Sequence, residues 1–141
     1  MKLIVWDFDG TLADSRPLIE AGMDHALGRL GLLDRKDIRQ AWLRCVGLPV
    51  EEGLQATFGP LGLDPAEVLT VYRSFDWQGN EHLIQPFPGM DVLVRELHGR
   101  GLRQAIASSK RTVPLARQVA AFGWSAFFNP LVTPDDVRLG K

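Results

Sequence analysis

Cysteine occurs once in the 141 residues, at Cys45, so no internal disulfide can form and nothing in the chain asks for an oxidising compartment. An excess of either charge is missing too: 16 Lys and Arg stand against 17 Asp and Glu, a formal net charge of −1. That balance argues against a dedicated binder of nucleic acid or of anionic membranes, whose footprint is a basic surplus. Long apolar runs are also lacking. The N-terminal run Leu3-Ile4-Val5-Trp6 stops at Asp7, shorter than the apolar core of a signal peptide and far shorter than a membrane span. Neither an internal repeat nor a low-complexity stretch occurs, which excludes a solenoid or a disordered tail. These absences lead to the expectation of a cytoplasmic globular protein. Its 45% apolar content is enough to fill a core.

The spacing of apolar residues divides the chain. Residues 3–8 read as a buried strand stopped by the turn residues Asp9 and Gly10. From Pro17 the period becomes helical, with Ile19, Met23, Ala26, Leu27 and Leu30 on one face, Asp14 or Ser15 as cap, and Gly31 as terminator. A second helix fits 35–46, with Ile38, Trp42 and Cys45 inward, and a third runs from Pro49 to near Gly59. Asp64, Pro65 and Glu67 mark the start of a fourth, whose face is Val68, Tyr72 and Phe75. The pattern breaks at Gln85-Pro86-Phe87-Pro88-Gly89. After it come a helix over 90–98, a strand over 103–107, a helix over 112–122 and a strand over 127–132. A strand, a helical insert and then alternating helices and strands define an α/β class with parallel strands. The expected division is a core of residues 1–15 and 85–141, interrupted by a helical module of 16–84.

The chemistry gathers in Asp7-Phe8-Asp9-Gly10-Thr11-Leu12, directly after the first strand. Carboxyl ends of parallel strands are where open α/β sheets bind ligands. Two carboxylates two residues apart repel each other unless a cation holds them, which points to a hard, oxygen-liganded ion such as Mg²⁺ on Asp7 and Asp9. Gly10 permits a sharp turn that brings backbone N–H groups toward an anion. Asp7, ionised at neutral pH, can attack phosphorus and form an aspartyl phosphate; Asp9 can protonate the leaving oxygen and later activate water. By contrast, His25, His82 and His98 lack ligand spacing, and Trp6, Trp42, Trp77 and Trp124 read as core or interface aromatics. Arg100 to Arg103 and Lys110-Arg111 read as solvated helix ends.

The string Asp7-Phe8-Asp9-Gly10-Thr11-Leu12-Ala13-Asp14-Ser15 resembles the first motif of the haloacid dehalogenase-like hydrolases, and most of all their phosphoglycolate-phosphatase-like branch. The resemblance implies a Rossmann-like core, residues 16–84 as a helical cap, and Pro86-Phe87-Pro88-Gly89 as the return into the core. Ala107-Ser108-Ser109-Lys110 resembles the second motif, which gives phosphoryl binding to Ser108, with Ser109 beside it. Lys141 resembles the lysine of the third motif, which neutralises the phosphate. The implied activity is Mg²⁺-dependent hydrolysis of a small phosphorylated metabolite. The family's fourth, acidic motif has no counterpart, so the chain is expected to be the N-terminal portion of a longer hydrolase. Weak Mg²⁺ binding, impaired phosphatase activity in this chain and an exposed sheet edge along the first strand would follow, with self-association through that edge. Two alternatives stand beside this reading. One is a non-catalytic fragment that acts by association. The other is a sugar-phosphate mutase, disfavoured because 45–51 carries no Lys or Arg after Arg44.

Overall fold

The computed structural model describes residues 2–136. The first strand, β1, covers Leu3–Trp6, two residues short of the expected 3–8 because Phe8 is drawn into the turn that follows. It is not the buried strand the sequence suggests, since Leu3 and Val5 are exposed. Its parallel partner β4 is Arg103–Ala107, and β5 (Phe128–Val132) lies on the far side of β4, giving the order β1-β4-β5. The register sets Leu3 beside Arg103 and Trp6 beside Ile106. Helix α5 (Met90–Gly99) feeds β4, and α6 (Thr112–Ala121) links β4 to β5, the connections that parallel neighbours require. Pro130 falls within β5, where an edge strand tolerates a residue with no N–H, and the β4–β5 register shifts between Gln104 and Ile106.

Two compact units make up the chain. One consists of the described residues up to 16 and from 82 onward; the other is Pro17–Glu81. The α/β unit buries Phe8, Leu12, Ile84, Val94, Ile106, Leu115, Trp124 and Phe128. Gln104 is buried among them, yet its amide is satisfied, donating to the Val94 carbonyl at 2.9 Å and accepting from Trp6 Nε1 at 3.1 Å. Trp124 Nε1 likewise finds Asp91 Oδ1 at 2.8 Å. A two-residue ribbon belongs to the same unit: β2 (Ala13–Asp14) pairs antiparallel with β3 (Gln85–Pro86). The Phe87 N–H extends it by donating to the Leu12 carbonyl at 3.1 Å. The chain therefore leaves this unit and re-enters it through adjacent, hydrogen-bonded segments.

Every named element between residues 17 and 81 is helical. Helix α1 is Arg16–Arg29, α2 Lys36–Leu43, α3 Val50–Phe58 and α4 Pro65–Arg73. Asp64 caps α4 as its sequence foretells, accepting from the Ala66 N–H at 2.9 Å with Pro65 in the first turn. Met23, Leu27, Ile38, Trp42, Leu54 and Val68 are buried together, with Ala26 and Phe58, and Ile19 and Tyr72 pack partly buried against them. Burying a side chain such as Leu54 or Phe58 contributes about 1.5–3 kcal/mol. Trp42 meets Phe58 edge-on, with centroids 5.1 Å apart. Arg39 bridges Asp24 and Glu20 across α1 and α2; the hydrogen bonds to Asp24 first and Glu20 second raise its pKa above the ordinary arginine value.

Candidate active site

The turn after β1 is built around one carbonyl. Phe8 O accepts from the N–H groups of Thr11, Leu12 and Ala13 at 3.2, 3.0 and 3.1 Å. Gly10 sits at φ +80°, in the left-handed region that glycine enters without strain, and its N–H donates to Ala13 O at 2.8 Å. Gly10 therefore shapes this turn with an N–H that is already engaged. Phe8 and Leu12 anchor the turn from beneath, both with no solvent exposure. Asp7 and Asp9 are left above, at the carboxyl end of β1, with Asp7 Oδ1 accepting from the Phe8 N–H at 2.9 Å.

Asp9 is held from two sides through one oxygen. Its Oδ1 accepts from the Ser15 hydroxyl and stands 3.1 Å from Lys110 Nζ. Ser15 is one of two residues the sequence offers as a cap for α1; Asp14 takes the capping contact, accepting from the Arg16 N–H at 3.1 Å, and Ser15 turns toward Asp9. Lys110 departs further from its sequence reading. Its side chain is only 18% exposed and lies over the Phe8 ring, 5.4 Å from the centroid, so it is no solvated helix end.

Ser108 follows β4 one step beyond the strand and is buried, its N–H continuing the ladder to Val132 O at 3.0 Å. Its Oγ accepts from the Lys110 N–H at 3.1 Å, which leaves the hydroxyl proton for another acceptor. Neither Ser108 nor Ser109 caps α6. Asp135 does so, accepting from the Thr112 N–H at 2.8 Å with Arg111 beside it. The Thr112 N–H foremost, then its hydroxyl and Arg111, hold the Asp135 carboxyl below the usual carboxylate range. Ser109 is exposed at the same end of the sheet, and Lys141 lies outside the described residues. The parallel register that sets Trp6 beside Ile106 thus carries Asp7 and Asp9 to the same strand ends as Ser108, and Lys110 joins the two loops.

As ligands, the Asp7 carboxylate and the main-chain carbonyl of Asp9 form an all-oxygen set, the type a hard divalent cation takes, while the Asp9 carboxylate is engaged by Ser15 and Lys110. Among the described residues no three His, Cys, Asp or Glu side chains stand together as a ready-made cage. The residues present fit an ion that keeps several waters and accepts substrate phosphate oxygens, as Mg²⁺ does.

Residues 4–141 match the profile of a family described as haloacid dehalogenase-like hydrolase. The chain belongs to that family. It is 28% identical over 143 residues to pyrophosphatase PpaX of Halalkalibacterium halodurans, covering 98% of this chain and 62% of that protein. It is also 31% identical over 129 residues to tyrosine-protein kinase PtkA of Mycobacterium tuberculosis, covering 90% of this chain and 42% of that one. A crystal structure of a HAD-superfamily hydrolase from Geobacter sulfurreducens superposes with a TM-score of 0.78 at 19% identity, over 100% of this chain and 66% of its own. That likeness shows the fold. The chain spans less than two thirds of the length of these curated relatives.

Proposed function

We propose that the protein is a Mg²⁺-dependent phosphatase that hydrolyses a small phosphomonoester through an aspartyl phosphate on Asp7. One observation carries this reading: the Asp7–Asp9 pair and Ser108 share one end of a parallel sheet, tied together by Lys110. Asp7 is the nucleophile, Asp9 the acid and base, and the Ser108 hydroxyl the donor to a phosphoryl oxygen, with Ser109 and Lys141 completing the phosphate site. Bound Mg²⁺ would neutralise the repulsion between carboxylate and phosphate, with Asp7 and Asp9 as its protein ligands. An Asp7 oxygen bonds to phosphorus as the ester P–O bond breaks, and the leaving alkoxide takes a proton from Asp9. Water then attacks the phosphorus and gives a proton to Asp9 as the bond between phosphorus and the Asp7 oxygen breaks, which releases orthophosphate and restores the Asp7 carboxylate. The helical unit serves as a cap that selects the substrate and excludes water. Similarity to proteins named pyrophosphatase adds pyrophosphate to the substrates worth testing.

The test is orthophosphate release from p-nitrophenyl phosphate and from pyrophosphate, with Mg²⁺ and after chelation by EDTA. Turnover should require the metal and fall to background in Asp7→Asn, whose side chain is nearly isosteric and leaves the fold intact. Ordinary activity in that variant, or activity indifferent to chelation, would falsify the proposal.

A further inference from the structure

The geometry points to Lys110 as a positioning residue that assigns different tasks to the two oxygens of Asp9. This inference rests on the phosphatase reading above and deepens it. Oδ1 of Asp9 receives both the Ser15 hydroxyl and the Lys110 ammonium, the latter at 3.1 Å. An oxygen with two donors already on it is the one that holds the side chain still. Oδ2 is then the oxygen that exchanges the proton with the substrate. In the protonated acid the same division is natural, because Oδ1 is the carbonyl oxygen that accepts and Oδ2 carries the proton that is given.

Lys110 is itself fixed, which a positioning role requires. Its ammonium lies over the buried Phe8 ring, 5.4 Å from the ring's centroid, a cation–π distance. Its backbone N–H is bonded to Ser108 Oγ at 3.1 Å. One residue therefore sets two groups: its main chain directs the Ser108 hydroxyl proton outward, and its side chain turns Asp9. Placement of an acid to within a fraction of an ångström matters most where proton transfer is needed. A misplacement of about 1 Å can cost about 100-fold in rate.

That dependence supplies the test. In the forward step the P–O bond to the leaving group breaks while Oδ2 delivers its proton to the departing oxygen. An alkyl alkoxide needs that proton, whereas p-nitrophenolate leaves as a stable anion without it. The inference predicts that Lys110→Met lowers kcat/KM for an alkyl phosphomonoester about 30- to 100-fold, yet lowers it less than about threefold for p-nitrophenyl phosphate. Lys110→Arg, which keeps a cationic donor, should restore the alkyl substrate to within about tenfold of the parent. A direct readout on the 141-residue chain needs no turnover. The Lys110 ammonium, protected from exchange by its ion pair, should give an observable ¹⁵N–¹H signal that shifts or vanishes in Asp9→Ala. Equal losses on both substrates would make Lys110 a phosphate ligand or a packing residue and overturn the inference. So would an ammonium signal indifferent to Asp9→Ala. If Lys110→Met behaves like the parent while Asp7→Asn is dead, the inference fails and the phosphatase reading stands; a parent inactive on both substrates would remove both.

Discussion

Two donors converge on one oxygen of Asp9, and both escaped the sequence. Ser15 reads as a helix cap and Lys110 as a solvated helix end, since a short polar residue before a helix and a cation after a strand have commoner uses than a contact to a distant carboxylate. The Asp7-Phe8-Asp9-Gly10 string stands out in the sequence because two carboxylates at that spacing, at the end of an apolar strand, repel each other and so call for a cation. A partner 101 positions away in the chain has no local signature; only the pairing of β1 with β4 brings Lys110 to Asp9. Asp135 offers a check at this scale. The Thr112 N–H, with the Thr112 hydroxyl and Arg111, depresses its pKa. A carboxyl whose folded pKa is lowered adds stability above its unfolded pKa of about 3.9, and that stability is lost as pH falls through the folded value. Asp135→Asn lacks this contribution, so its melting temperature should lie below the parent's at pH 6 and the gap should close below about pH 4. Thermal scans of both proteins across that range decide it; a gap that stays constant would show that Asp135 acts only as a neutral hydrogen-bond acceptor.

Among the elements, the helices and strands with strong periodicity or clear punctuation were legible. The strand over 103–107 stands where the sequence puts it, between Gly101 at φ +77° and the serines. The ribbon of β2 and β3 was not, because two-residue strands have no period to read. Helix α1 hides a second feature. Gly22 and Gly28 both lie within it, and each normally costs a helix about 1 kcal/mol relative to alanine. At Gly22 a Cβ would stand 2.8 Å from Cζ2 of Trp77, which packs edge-on against Tyr72 and Phe75; at Gly28 it would meet nothing within 4 Å. Gly22→Ala should therefore destabilise by about 1–3 kcal/mol, overpacking outweighing propensity, while Gly28→Ala should stabilise by up to about 1 kcal/mol. Denaturant unfolding of the two variants provides the comparison. A stabilised Gly22→Ala would show that Trp77 moves aside freely.

At the scale of the whole molecule, the sheet has an open side. Among the described residues β1 pairs only with β4, and Leu3 and Val5 are 54% and 59% exposed. An apolar strand with unpaired N–H and C=O groups is a template for another strand. The 141-residue chain should accordingly associate as its concentration rises, and Val5→Lys should shift sedimentation toward the monomer. A parent that stays monomeric at high concentration would contradict this. The β2–β3 ribbon has a different implication, which concerns descent more than stability. Ala13 faces Pro86 and Asp14 faces Gln85, so the chain departs and returns within one strand spacing, about 5 Å. Whatever lies between those two points is a cassette with a standard joint. A gene can lengthen, shorten or exchange the segment without moving either end, and the turn carrying Asp7 and Asp9 keeps its frame throughout. Selection can thus rewrite the helical unit in one stretch of DNA and leave the strands and turns of the α/β unit, encoded on both sides of it, untouched.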